Sequence, residues 1–127
     1  MKTTLNALHH QGNDWNRDLD FYIDELAILT KRLKLVDTKK ATPKTTAQAA
    51  QYLKKFVKLR EKTDTLKAAL LDREKKVERI AKDNPEAAGD QIKMVNDKLF
   101  ARHKGLADAM ATTRYDFNHF LVKTLEK

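Results

Sequence analysis

The sequence predicts an all-α protein, an elongated antiparallel up-down-up three-helix bundle with coiled-coil character, built as one helical domain over residues 1–127. Three observations predict it. Trp15, Leu19, Tyr22, Leu26, Leu29, Leu33 and Val36 follow one another at alternating spacings of four and three. That is the seam of a helix packed lengthwise against other helices. The chain has only three Gly and two Pro, and it is rich in Ala, Leu, Lys, Asp and Glu, all common in long helices. Its turn signals fall in two places, near residues 37–42 and 82–85, and they divide it into three long periodic segments.

Helix 1 is expected over about residues 13–36, capped by Asn13 or Asp14. Acids crowd its first half (Asp14, Asp18, Asp20, Asp24, Glu25) and bases its last turns (Lys31, Arg32, Lys34), as the helix macrodipole favours. Residues 3–11 either form a separate short helix or extend helix 1 backwards. Leu5 and Leu8 keep the heptad phase with Gly12 and Trp15, which favours extension. Gly12 inside a helix costs about 1 kcal/mol relative to Ala, which opposes it.

Residues 37–42 read as a polar linker. Helix 2 is expected over about 43–83, with Thr42 as cap and Pro43 at the first helical position. A start at Thr45, where Thr45-x-x-Gln48 makes a capping box, is the alternative. Its stripe is Tyr52, Phe56, Leu59, Thr63, Leu66, Leu70, Arg73, Val77 and Ile80, weakened at Thr63 and broken at Arg73. Arg60, Lys67 and Glu74 recur every seven residues beside it, as flanking positions that pair with charges on neighbouring helices do.

The turn is Lys82-Asp83-Asn84-Pro85. Helix 3 is expected over about 86–126, opened by Pro85 or, after a loop, by Asp90. It carries Ile92, Val95, Leu99, Leu106, Met110, Phe117, Phe120 and Leu121. Helices 2 and 3 then reach ~60 Å, and helix 1 from Asn13 only ~36 Å. The distal hairpin is left uncovered, and its Leu70, Leu71, Val77, Ile80, Ile92, Val95 and Leu99 form a candidate interface. Leu5 and Leu8 supply part of a cover, and a second copy of the chain supplies the rest.

Composition bounds the function. No cysteine means no disulfide framework, no thiolate metal site and no cysteine nucleophile. The N-terminus lacks an apolar run of signal-peptide length, and no stretch approaches the ~20 apolar residues of a membrane span. A soluble, cytoplasmic protein with no membrane partner is expected. The net charge of +8 is unevenly spread. Residues 1–36 carry five basic and five acidic groups, residues 37–84 fourteen and seven, and residues 85–127 seven and six. Lys54, Lys58 and Lys62 stand at i, i+4 and i+8, where like charges repel, and Lys75, Lys76, Arg79 and Lys82 cluster towards the tip. These seven form a candidate polyanion face whose binding depends on salt. Against nucleic acid as the partner, Glu61, Asp72 and Glu78 interrupt the face. Tyr52 and Phe56 point to the core, and lysine outnumbers arginine nineteen to seven.

No catalytic constellation emerges, so no enzyme and no cofactor are expected. Di-iron bundles need Glu-x-x-His on each of two helices plus two further carboxylates. Here Asp116-x-x-His119 is the one near match. His9 and His10 read as a surface pair, and His103 as an ordinary half-buried histidine beside the stripe. Trp15 and Tyr22, with Phe21 beside them, read as packing anchors of helix 1.

The segment from Trp15 to Leu33 resembles a family of short, all-helical, uncharacterised Bacteroidetes proteins. That family's pattern runs W-x3-L-x-F-Y-x-x-E-L-x-x-L-x-x-R-L, then a lysine- and glutamate-rich helix, then R-x-x-F-x-x-F-L. Here the ending reads Arg114-Tyr-Asp-Phe117-Asn-His-Phe120-Leu121. The chain departs from the pattern in lacking a Trp near its C-terminus and in a more basic helix 2. The resemblance implies the helical fold and no catalytic residues. Together these readings lead to a non-catalytic protein–protein interaction or scaffolding module, self-association included. Nucleic-acid or polyanion binding through helix 2 is the alternative.

Overall fold

The computed structural model describes the backbone of residues 2–36, 41–83, 86 and 88–125, and the side chains of 10–36, 41–83, 86 and 89–125. It contains three helices, α1 (Lys2–Lys34), α2 (Pro43–Asp83) and α3 (Ala88–Leu125). The expected roles of Leu5, Leu8, His9, Asn84 and Pro85 lie outside the described side chains.

Helix α1 does not begin at Asn13. It runs unbroken through Gly12 to Lys2 and ends two residues short of Val36. Its close is a tightened turn in which the Leu35 and Val36 N–H groups donate to the carbonyls of Arg32 and Leu33, both at 3.1 Å. Helix α2 takes the first of its two expected starts. The Thr45 N–H donates to Thr42 Oγ1 at 3.1 Å, which makes Thr42 the cap and leaves Pro43 at the first helical position. Helix α3 starts at Ala88, between the two alternatives.

The helices run up, down and up. Trp15 on α1 lies over Arg73 on α2 and beside His103 on α3, and Glu25 on α1 meets Arg114 further along α3. Helix α2 is central: α1 and α3 each pack along it and approach one another closely at few places. Most of the core is one continuous cluster from Trp15 and Leu70 at one end to Val36 and Phe120 at the other. Thr63, a weak point of the stripe in apolar terms, is fully buried, and its hydroxyl donates to the Leu59 carbonyl at 2.7 Å. The hydroxyl is thereby satisfied without a partner from another helix. At the linker end Tyr52, Phe56, Phe117 and Phe120 pack edge-to-face and tilted, with centroids 5.1–5.3 Å apart for the closest pairs.

The full length of α1 removes the reason for an uncovered hairpin. Its 33 residues span ~50 Å in place of the ~36 Å expected from Asn13. Leu70, Val77, Ile92 and Leu99 are buried within the chain, and Ile80 and Val95 are half-buried. Of the seven candidate interface residues only Leu71 faces solvent, at 61% exposure. The expected dimer interface on the distal hairpin is thus mostly covered by the chain itself.

Candidate functional site

A polar–aromatic layer ties the three helices together at the level of Gly12. Arg73, which breaks the α2 stripe in sequence, is 3% exposed. Its guanidinium carbon lies 5.2 Å from the Trp15 ring centroid, and Nη1 donates to Asn96 Oδ1 at 2.5 Å. Burial lowers the Arg73 pKa and the nearby Glu74 opposes this. The His103 ring stacks on Trp15 with centroids 5.4 Å apart, and its Nε2 lies 3.3 Å from Asp18 Oδ2. The Arg73 and Trp15 side chains are buried and that of His103 is 13% exposed. The layer joins a cation, an indole and an imidazole in the interior, which is a structural arrangement. Arg73, Asn96 and Gly12 were not recognisable as partners from spacing along any one helix.

A second polar link crosses from α1 to α3. Arg114 Nε and Nη2 donate to the two carboxylate oxygens of Glu25 at 2.8 and 2.6 Å. This bidentate pair raises the Arg114 pKa. Lys67 pairs with Asp20 on α1, as its flanking position predicts. Arg60 instead pairs with Asp64 on its own helix, at 3.2 Å.

The seven residues of the candidate polyanion face are all exposed on the solvent side of α2. Among the described residues only Lys76 of the seven has an ion-pair partner, Asp72 at 3.4 Å. Among the described residues no aromatic side chain is interleaved with these cations. Tyr52 and Phe56 turn inward, and Lys55 covers the Tyr52 ring at 5.3 Å.

At the linker end an open cleft of about 760 Å³ is lined by Thr42, Lys44, Tyr52, Asp116, His119 and Phe120 among others. Asp116 and His119 thus line one cleft, with the His119 ring centroid 4.4 Å from that of Tyr115. Among the described residues no group of three or more His, Asp or Glu is placed to hold a metal ion, and no helix is long and apolar enough to cross a membrane.

The apolar surface is elsewhere than expected. Phe21 and Ile28 on α1 and Leu35 in its closing turn are 57%, 50% and 77% exposed. Phe21 is therefore no packing anchor, unlike its neighbours Trp15 and Tyr22. These three residues lie seven apart, the last of them in the turn that closes α1. Beside Leu35 an apolar recess of about 360 Å³ is lined by Leu121, Val122 and Leu125 of α3. The repeat at 21, 28 and 35 is legible in sequence as a second, weaker heptad stripe. The stronger seam masked it.

No family model, curated protein or solved structure matches the chain.

Proposed function

We propose that this chain is a non-catalytic protein–protein interaction or scaffolding module that works in the cytoplasm. The observation that carries the reading is the heptad-spaced row of exposed Phe21, Ile28 and Leu35, one part of an apolar surface that also includes Val122 and Leu125 beside Leu35. Large apolar side chains recurring on one helix face, outside the core, mark a surface that another protein covers. A photo-crosslinking residue at Leu35, compared with one at Lys58, tests it in the cell. Protein adducts concentrated at position 35 support the module. Adducts absent from position 35 overturn it.

A second reading keeps the basic side of α2 as a nucleic-acid or polyanion surface. It is favoured by Lys54, Lys58 and Lys62, which are exposed and lack ion-pair partners among the described residues. Replacing all three by Glu abolishes salt-sensitive retention on heparin under this reading. Unchanged retention removes it.

A further inference from the structure

The stripe on α1 has a charge pattern that identifies its partner. Residues seven apart on a helix drift only about 20° per step, so Phe21, Ile28 and Leu35 form one line ~21 Å long. Ile28 stands at its middle. Asp24 and Glu25 precede Ile28 by four and three residues, and Lys31 and Arg32 follow it by three and four. Asp24 and Lys31 share one flank of the line, because they too are seven apart, and Glu25 and Arg32 share the other. Asp24, Lys31 and Arg32 are exposed, and among the described residues none has an ion-pair partner within the chain.

This pattern is self-complementary in one orientation only. When two copies pair antiparallel about a two-fold axis at Ile28, Phe21 of one chain comes level with Leu35 of the other. Asp24 then comes level with Lys31 of the second copy on the same flank, twice across the axis; Glu25 on the other flank is already held by Arg114 of its own chain. A parallel pairing about a two-fold axis brings opposite flanks together and sets Lys31 against Arg32 and Asp24 against Glu25, like charge against like. Flanking charges select helix orientation by this difference, and a two-fold interface uses one patch on both partners. We infer that α1 pairs antiparallel with α1 of a second copy of this chain through Phe21, Ile28 and Leu35. This rests on the interaction-module reading and names its partner. Three side chains fall short of the ~800 Å² per partner that a stable dimer buries. The recess beside Leu35, walled by Leu121, Val122 and Leu125, lies level with Phe21 of the second copy and extends the contact onto α3.

Light-scattering mass of the full chain over a concentration series tests the inference. The expected mass is twice 14.7 kDa at high concentration. Ile28→Glu, at an exposed position, gives the mass of one chain with unchanged helical circular dichroism. Asp24→Lys and Lys31→Asp each weaken the dimer about tenfold, equivalent to ~1.4 kcal/mol. Combining them restores the dimer, because the exchanged charges meet again across the axis. A wild-type chain that stays single at every concentration overturns the inference. So does a dimer that Ile28→Glu leaves intact, or a combined variant as weak as the single ones. A single-chain mass together with protein crosslinks at Leu35 rejects self-pairing while the module reading stands. Absence of both dimer and crosslinks rejects the two together.

Discussion

Gly12 and Arg73 occupy the same space from opposite helices: a Cβ on Gly12 would stand 2.6 Å from Arg73 Nη2. Among the described residues no backbone has a positive φ, so Gly12 is needed for room and not for conformation. The missing side chain leaves room for the guanidinium beside Trp15 and Asn96. The ~1 kcal/mol of helix propensity that glycine forfeits is the cost of this contact. Gly12→Ala alone lowers stability, because Arg73 is held by its partners and must be displaced. In an Arg73→Met background the same change costs about 1–2 kcal/mol less, since the long cation no longer fills the site. Urea midpoints for the four chains give the coupling directly. A coupling near zero refutes the steric account.

Glu25 and Arg114 hold α1 to α3 where the two helices otherwise approach little. The pair is only partly shielded, with side chains 15% and 38% exposed, so its contribution is below that of a fully buried pair. Arg114→Lys keeps the charge and loses the two-pronged geometry, and is expected to cost about 1 kcal/mol. Glu25→Gln has a similar effect. In the double variant the costs add to less than their sum, which a double-mutant cycle reads. Full additivity would show that the two side chains do not support each other in solution.

The bundle was legible in sequence because its seams are written in heptads. The α1 stripe from Trp15 to Val36 is buried apart from half-buried Tyr22, and Thr42 with Pro43 marks the α2 start. What was not legible depended on contacts between helices. Gly12 looked like a break because its own helix gives no reason for it; the reason is Arg73, sixty-one residues away in sequence. Arg73 looked like an interruption of the core because its partners, Trp15 and Asn96, come from the other two helices. The candidate interface failed for the same cause. Shortening α1 at Gly12 exposed a hairpin that the whole helix runs beside. Phe21 was misplaced because a neighbour of a seam residue reads as core until the helix phase is fixed.

Leu70 and Leu71 separate the two accounts of the distal hairpin at adjacent positions. Leu70 is 6% exposed and Leu71 61% exposed. With α1 extended to Lys2, Leu70→Ala removes packed core and costs about 2–5 kcal/mol. Leu71→Ala stays within about 0.5 kcal/mol. Chemical unfolding midpoints of the single variants check this. Comparable losses at both positions would mean that Leu71 is also covered, and that the hairpin surface is an interface after all.

Stability at alkaline pH is expected to depend on two tyrosines. Tyr52 is raised above its usual 10.0 by burial first and by Asp116 second. Tyr22 is raised by burial and then by Asp18, with Arg114 opposing. In the unfolded chain both ionise near their usual value. Below that pH both states keep the phenol neutral, so the contribution is fully present. Above it the unfolded chain releases its protons while the folded chain holds them. The folded state therefore loses ground as pH rises, by up to ~1.4 kcal/mol per pH unit per tyrosine, until the folded pKa is passed. Tyr52→Phe removes one of these contributions and keeps the ring among Phe56, Phe117 and Phe120. Its urea midpoint is expected to fall less than that of the wild type between about pH 9 and about pH 11. The Tyr22→Phe and Tyr52→Phe double variant should fall least. Parallel curves for all three chains would show that neither phenol is held neutral by the fold.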